Sequence, residues 1–230
     1  SAEAATRDPA LVAEALMLPP ENYLADQMES IDVVAIHEAC LWLKRHLATH
    51  LAALLESVYN QCVSDAPYTP DGPSAARRAL KNASLGLLLE LPNADFRHQA
   101  LKQYQDADNM TDALAVVRAF AHIDCSERRE VLTDFEHKWQ QDSLVMDKWF
   151  AVQAASRLPG TLSEVQALLV HPEFDLRKPN KVRALIGTFA HANPRRLHAP
   201  DGEGYAFLAE QIHTRDPLNA QITARLIAAF

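Results

Sequence analysis

Two histidine patterns in the sequence are the first candidates for metal chemistry. A zinc peptidase of the His-Glu-x-x-His type needs two histidines one helical turn apart and a general-base glutamate beside the first. His37 and Glu38 begin this pattern, but Leu41 stands where the second histidine is required. His46 and His50 have the i, i+4 spacing that places both on one helix face. Because they lack an adjacent glutamate and a third ligand, we expect two solvated histidines.

Nucleophilic and phosphate-binding sites also lack their usual patterns. The sequence holds no Gly-x-Ser-x-Gly turn. Cys40 falls in an apolar helical stripe, where a thiol stays protonated, and Cys40, Cys62 and Cys125 are too widely spaced for a metal site or a disulfide framework. Gly202 and Gly204 resemble a phosphate loop, but no Lys-Ser/Thr pair follows, and we expect a turn and a helix N-cap. We therefore predict that this chain has no catalytic residue, no metal site and no cofactor of its own.

Charge and composition exclude several classes of partner. The 230 residues carry a formal net charge of −8, which argues against nucleic acid and against anionic membrane surfaces. No apolar stretch approaches the roughly 20 residues needed to span a bilayer. The first residues do not read as a secretory signal, and free cysteines fit a reducing compartment. We expect a protein of a reducing compartment.

Helical periodicity dominates the elements that must position any site. Only 6 glycines accompany 13 prolines, which argues against a β-rich fold with many tight turns. Apolar residues recur at three- and four-residue spacing, as in the stripe Val182, Leu185, Ile186 and Phe189. We predict an all-α fold, a superhelical array of about a dozen antiparallel helices of about 10–18 residues, like a HEAT or armadillo solenoid.

Helix start signals agree with these stripes. Asp8-Pro9 and Asp216-Pro217 each pair an N-cap residue with a pre-organised first turn. Thr161 and Glu164 have the spacing of a capping box, and Asn109 with Asp112 offers a weaker version. The longest irregular stretch, residues 64–73, is expected to be a surface loop.

Arg225 occupies an unusual position for a charged residue. On a helical wheel it falls in the middle of the stripe formed by Leu218, Ile222, Leu226 and Ala229. A guanidinium cannot be buried without a partner. Arg225 therefore either snorkels to water or forms a salt bridge inside the array, or it faces a cavity or another domain, where it could hold a carboxylate or a carbonyl. Arg183 flanks the stripe of its own helix.

Several segments together resemble the C-terminal domain of bacterial aminopeptidase N, a zinc-dependent aminopeptidase family. The similarity extends from about residue 16 to the end of the sequence, in order and nearly without gaps. The segments that carry it are residues 18–22 (LPPEN), 76–83 (ARRALKNA), 109–114 (NMTDAL), 144–150 (LVMDKWF), 179–183 (PNKVR), 189–190 (FA), 193–194 (NP), 198–199 (HA), 201–202 (DG) and 204–208 (GYAFL).

The resemblance implies that residues 1–230 form a single helical domain of a larger enzyme, without its last helices. In that family the zinc ion and the peptide N-terminus are bound by other domains, and the helical domain caps the active site and leaves a restricted channel. Arginines at the positions matching Arg183 and Arg225 face the substrate cavity there. The expected partners are therefore the catalytic and other domains of the same polypeptide and peptide substrates, with zinc held outside this chain.

Two other functions remain open at this stage. The chain could be a free-standing helical-repeat module that binds a protein on a concave face. It could also be a small metalloenzyme that uses His46 and His50.

Overall fold

The computed structural model describes residues 3, 7–215 and 220–229. Within these residues every regular element is a helix and no strand occurs, which confirms the predicted all-α fold. The chain divides into two compact units, Ser1–Ala119 and Phe120–Phe230. The single domain expected over residues 1–230 stays a prediction. None of the described helices combines the length and the apolar character that crossing a bilayer requires.

In the described part of the first unit, two short helices are followed by four longer ones. They are α1 (Pro9–Leu16), α2 (Glu21–Ala25), α3 (Val33–Cys62), α4 (Gly72–Leu88), α5 (Ala94–Asp106) and α6 (Met110–Phe120), which ends one residue past the boundary. With 30 residues, α3 is much longer than we expected. Its sequence contains neither glycine nor proline, so no residue in it favours a break. The predicted loop follows it, and Pro73 lies in the first turn of α4.

Acidic and amide side chains begin the helices of this unit. The Oδ1 atoms of Asp8, Asp32 and Asp71 accept hydrogen bonds from the backbone N–H three residues on, at 3.0, 2.9 and 2.9 Å. Asn93 caps α5 in a similar way. Each bond satisfies a donor that the first helical turn leaves unpaired. The Asp8-Pro9 signal is therefore confirmed, whereas the Asp216-Pro217 signal lies outside the described residues.

Helices α1, α3 and α4 enclose an apolar cluster in the first unit. At its centre are the buried side chains of Ala13, Val58 and Leu80, one from each helix. Tyr59 on α3 is 4% exposed, and its burial, together with the nearby charge of Asp112, raises the pKa of its hydroxyl to about 12. The neutral phenol is thus the form that the folded unit accommodates.

A buried carboxylate connects α4, α5 and α6. Asp112 is 5% exposed and accepts hydrogen bonds from Lys81 Nζ at 2.7 Å, Asn82 Nδ2 at 2.9 Å and Asn109 Nδ2 at 3.1 Å. Its backbone N–H donates to Asn109 Oδ1 at 3.0 Å, which confirms the predicted cap of α6. Gln103 Nε2 extends the network by donating to Asn82 Oδ1 at 2.8 Å. One charged group thereby stabilises three helix contacts.

The second unit is built from shorter helices. They are α7 (Ser126–Trp139), α8 (Ser143–Ala154), α9 (Thr161–Leu168), α10 (Pro179–Val182), a π-helical turn (Arg183–Gly187), α11 (Thr188–Ala192), α12 (Pro194–Leu197), α13 (Glu203–Arg215) and α14 (Ala220–Ile227). The segment from α10 to α11 is one continuous helix, widened in the middle by the π turn. The predicted stripe of Val182, Leu185, Ile186 and Phe189 is buried, which confirms it.

Helix α8 supplies the apolar centre of this unit. Trp149 Nε1 donates to the carbonyl oxygen of Leu132 on α7 at 2.9 Å. Phe150 meets Phe174 edge to face with ring centroids 5.7 Å apart. These rings remove a large apolar area from water and also fix the orientation of α8.

The carboxyl end of α8 is satisfied by side chains from distant segments. Asn193 Nδ2 donates to the carbonyl oxygens of Ala154 and Ser156 at 2.9 and 2.8 Å, and Thr161 Oγ1 donates to Ser156 O at 2.9 Å. Ser156 Oγ in turn donates to Ala121 O at 2.6 Å. Four segments of the unit therefore converge on one buried turn.

The predicted capping box of Thr161 and Glu164 is wrong. Thr161 is already the first residue of α9, Gly160 precedes it without a side-chain cap, and the threonine hydroxyl serves the turn before the helix. Glu164 instead binds Arg128 through both carboxylate oxygens, at 3.0 and 2.6 Å. A tertiary ion pair with bidentate geometry has replaced the local cap.

We expect Asp112→Ala to destabilise the first unit by about 3–5 kcal/mol, because the buried Lys81 ammonium loses its counter-ion. The matched control is Asp106→Ala, whose partner Lys102 lies one turn away in an ion pair with side chains 70% and 63% exposed. That variant should cost less than about 1 kcal/mol. Urea unfolding followed by circular dichroism measures both losses, and equal losses would show that the Asp112 network does not stabilise the unit.

Candidate functional site

Arg183 and Arg225, the two residues predicted to line a substrate channel, lie on the same groove. The groove has a volume of about 370 Å³ and lies between the π turn, α11 and α14. We call it the arginine groove; its lining includes Arg183, Gly187, Thr188, His191, Arg225 and Leu226. Both arginine side chains are exposed. The structure thus brings the two residues together, while their role toward a substrate stays a prediction.

The π turn positions the side chain of Arg183. Arg183 is its first residue, and the buried neighbours Val182 and Ala184 direct the arginine side chain outward. Its Nη1 atom donates to Asn180 Oδ1 at 3.0 Å, and Thr188 Oγ1 donates to its carbonyl oxygen at 3.3 Å. Single π turns are rare in helices and occur frequently at functional sites. One terminal nitrogen of the guanidinium is therefore held by Asn180, and the other N–H groups keep donors available.

Arg225 does not lie in a buried stripe. Its neighbour Leu226 is 2% exposed and anchors α14, whereas Arg225 itself is exposed and belongs to the groove. His191 Nε2 lies 3.1 Å from the carbonyl oxygen of Arg225, so this ring nitrogen carries the proton and donates. Arg225 is thus exposed at the arginine groove, and its role toward a substrate stays a prediction. Leu218 and the side chain of Ile222 lie outside the described residues.

A buried lysine below Arg183 was missed by the sequence analysis. Lys181 is 1% exposed, its Nζ donates to Ser143 O at 3.0 Å, and the ammonium lies 5.3 Å from the centroid of Phe150. Nζ also forms an ion pair with Asp147 Oδ1 at 3.0 Å. The angles of this contact are not those of a hydrogen bond. These contacts attach the start of the π turn to α8. The only sequence signal was a cation beside a strongly apolar stripe, a pattern that usually means a surface residue.

His46 and His50 do not fit a catalytic metal site. Their rings lie 4.1 Å apart on exposed positions of α3, with Trp42 stacked on His46 at 4.8 Å. His50 Nδ1 donates to the backbone carbonyl of His46 at 2.9 Å, which leaves only its Nε2 as a ligand atom. Catalytic zinc requires three protein ligands, and among the described residues no group of three or more metal-binding side chains occurs.

The other sequence candidates have structural roles. His37 Nδ1 lies 2.9 Å from Glu21 Oε1 and so joins α2 to α3. The three cysteines are free, and burial raises the pKa of the Cys40 thiol, with a smaller contribution from Glu21, so it stays protonated. These assignments agree with the interpretation of His37 and Cys40 as non-catalytic.

The segment around Gly202 is the predicted turn and N-cap. Gly202 has φ +74°, in the left-handed region that favours glycine, and Asp201 Oδ1 accepts from Glu203 N at 3.0 Å. A Cβ atom on Gly204 would lie 2.4 Å from the carbonyl oxygen of Leu197, so only glycine allows α13 to approach α12 this closely. The glycines therefore serve helix packing and not phosphate binding.

Comparison with known proteins relates the whole chain to one family of helical domains. The family model described as "Domain of unknown function (DUF3458_C) ARM repeats" matches residues 2–230. Aminopeptidase N of Escherichia coli is 41% identical over 222 residues, which cover 96% of this chain and 25% of the relative. Aminopeptidase N of Caulobacter vibrioides is 39% identical over 220 residues, covering 96% and 26%. This chain thus spans about a quarter of the length of these relatives.

A solved structure has the same fold. The crystal structure of Legionella pneumophila aminopeptidase A in complex with aspartic acid aligns with a TM-score of 0.86 and 28% identity, covering 96% of this chain and 27% of that chain. The expected resemblance to the helical domain of aminopeptidase N is therefore confirmed.

We expect Lys181→Met to destabilise the second unit by about 3–5 kcal/mol, because Asp147 loses the cation that balances it. The matched control in the same unit is Lys138→Met, whose pair with Asp134 has side chains 52% and 44% exposed. That change should cost less than about 1 kcal/mol. Urea unfolding followed by tryptophan fluorescence measures both, and similar losses for the two lysines would contradict a special role for the buried one.

Proposed function

The chain belongs to the DUF3458_C family of ARM-repeat domains, and we propose from this that it is the C-terminal helical domain of a zinc-dependent aminopeptidase of the aminopeptidase N type. In this proposal the zinc ion and the general base lie in another domain of the same polypeptide. The helical domain covers the active site, forms the wall of the substrate channel and limits the size of the peptides that enter. The whole enzyme removes N-terminal residues from peptides in the bacterial cytoplasm.

The extent of the relatives supports a domain that works within a longer chain. The aminopeptidases that match it are about four times as long, so most of their length is available for catalysis. The present sequence has no His-Glu-x-x-His motif. These two observations support a non-catalytic role for the chain by itself.

The arginine groove is the observation that carries the channel-wall role. Arg183 and Arg225 are distant in sequence, yet both line one groove with exposed guanidiniums. An arginine carries five N–H donors and stays protonated at neutral pH, so it binds oxygen atoms but cannot exchange protons during a reaction. The walls beside the two arginines include the apolar side chains of Val182, Ala192 and Leu226. Such a groove suits a peptide whose carbonyl oxygens or C-terminal carboxylate meet the guanidiniums while its side chains contact the apolar wall.

We expect Arg225→Ala in the longer polypeptide to raise KM for tripeptides and tetrapeptides about tenfold with little change in kcat. A charge-assisted hydrogen bond contributes about 1.5–3 kcal/mol, and a contact that is equally strong in the ground state and the transition state affects binding alone. In this proposal an amino-acid anilide is too short to extend from the catalytic site to the groove, so its KM should stay the same. Steady-state kinetics on both substrate types measures the difference.

The matched control for this prediction is Arg129→Ala. Arg129 is an exposed arginine on α7 and does not line the arginine groove. Its removal should leave both KM values unchanged. Unchanged KM values for tripeptides and tetrapeptides in the Arg225 variant would refute the peptide-binding role.

Deletion of the domain tests the lid role separately. We expect this chain alone to be inactive on an amino-acid anilide with zinc supplied, and the polypeptide without it to lose activity or size selectivity. Turnover by this chain alone would contradict the proposal and would make His46 and His50 the first residues to replace. Full activity and unaltered size selectivity without the domain would instead favour a separate interaction module.

A further inference from the structure

Beside the arginine groove lies a second groove with a different balance of charges. It has a volume of about 500 Å³ and is bounded by the first turn of α8 on one side and by residues 177–181 on the other. We call it the lysine groove; its lining includes Ser143, Leu144, Arg177, Lys178, Asn180 and Arg183. Arg183 also lines the arginine groove, so the two grooves meet at this residue.

We propose that the lysine groove is a binding subsite for a carboxylate side chain in the distal part of longer peptides. The inference rests on the proposed function, because the peptide must first lie along the arginine groove. Lys178, together with the donors of Arg183 that Asn180 leaves free, binds the carboxylate. The substrate class favoured by this subsite is peptides with an acidic residue several positions from the N-terminus.

The pairing of the charged groups shows which cation is available. Asp147 and Lys181 also line the groove, where they pair with each other, and Lys181 donates to Ser143 O as well. Arg177 binds the Asp175 carboxylate through Nε and Nη2, at 3.0 and 3.1 Å. Lys178 is exposed, and the hydrogen bonds from Arg177 act together with the charge of Lys178 to lower the pKa of the nearby Asp175 carboxyl.

The remaining charge is therefore positive, in a chain whose formal net charge is −8. Lys178 and Arg183 attract an anion at this place although the chain as a whole repels one. Two cations are enough for a single carboxylate but too few for a nucleic-acid backbone, which needs an extended basic surface.

Apolar atoms in the groove favour a peptide over a small free anion. Leu144 is 65% exposed although it lies next to the buried Val145. Pro179 lies opposite, on the segment that carries Lys178. The methylene groups of a glutamate side chain, or an adjacent apolar residue, would cover these surfaces, whereas an inorganic anion would leave them exposed to water.

The test compares acidic peptides with their amide isosteres in the longer polypeptide. Pentapeptides with Glu or Gln at the fourth or fifth position, C-terminally amidated, are the probes. We expect KM for the Glu peptide to be about fivefold lower than for the Gln peptide at low salt, with equal kcat, and the difference to shrink as salt screens the pair. Lys178→Glu should remove or reverse the preference. Lys148→Glu is the matched control, because Lys148 is exposed on α8 but does not line the groove.

The outcomes separate this inference from the proposed function. Equal KM values for the Glu and Gln peptides, with Arg225→Ala still raising KM for tetrapeptides, would refute the subsite and leave the channel wall intact. Equal effects of Lys178→Glu and Lys148→Glu on KM would indicate that the overall charge of the protein, and not a specific contact, sets the preference. That result would also refute the subsite. If Lys178→Glu instead weakens association between this chain and the remainder of the polypeptide, the groove is a domain interface and the inference is wrong.

Discussion

The structure depends on satisfying the backbone groups at the ends of many short helices. Each helix end leaves carbonyl or N–H groups without partners, and burying such a group unpaired costs free energy. In the second unit buried side chains supply the missing donors: Asn193 serves the end of α8, and Ser156 serves the carbonyl oxygen of Ala121. Arg196 does the same for the carbonyl oxygen of Arg157, at 3.2 and 2.7 Å. These contacts define the packing of the helices more specifically than apolar burial, which has no direction.

The same pairing of backbone groups determines the geometry of the arginine groove. Lys181 reaches the backbone of Ser143, and through that contact α10 and the π turn are attached to α8. At the other side of the groove His191 donates to the backbone of Arg225 and so holds α14 against α11. The two exposed arginines thus extend from backbone segments that are each attached to a neighbouring helix. These backbone contacts explain how two arginines that are distant in sequence come to line one groove.

The predictable parts of the fold are those determined by neighbouring residues in the sequence. Helical periodicity identified the buried stripe around Leu185, and the Asp8-Pro9 cap and the Gly202 turn follow from preferences of single residues. The capping box at Thr161 failed because a distant residue, Arg128, offered Glu164 a stronger partner. Lys81 and Asp112 lie within segments that carry the family resemblance, yet their pairing joins helices α4 and α6 and has no local signal. For Arg225, the wheel identified an unusual position, and only the tertiary structure could distinguish a buried salt bridge from an exposed groove.

The chemistry of the groove is consistent with a division of work between domains. A reaction centre needs a group that can exchange a proton near neutral pH, and arginine cannot do so. The histidine of the groove donates its Nε2 proton to a backbone carbonyl, and this contact holds the ring as a structural element. In the proposed function the arginine groove would supply position to a peptide: fixed donors for its oxygen atoms and an apolar wall for its side chains. Binding energy spent on such positioning accelerates a reaction only when the scissile bond is thereby delivered to a catalytic group. The proposal therefore pairs the groove with a catalytic site in another part of the polypeptide.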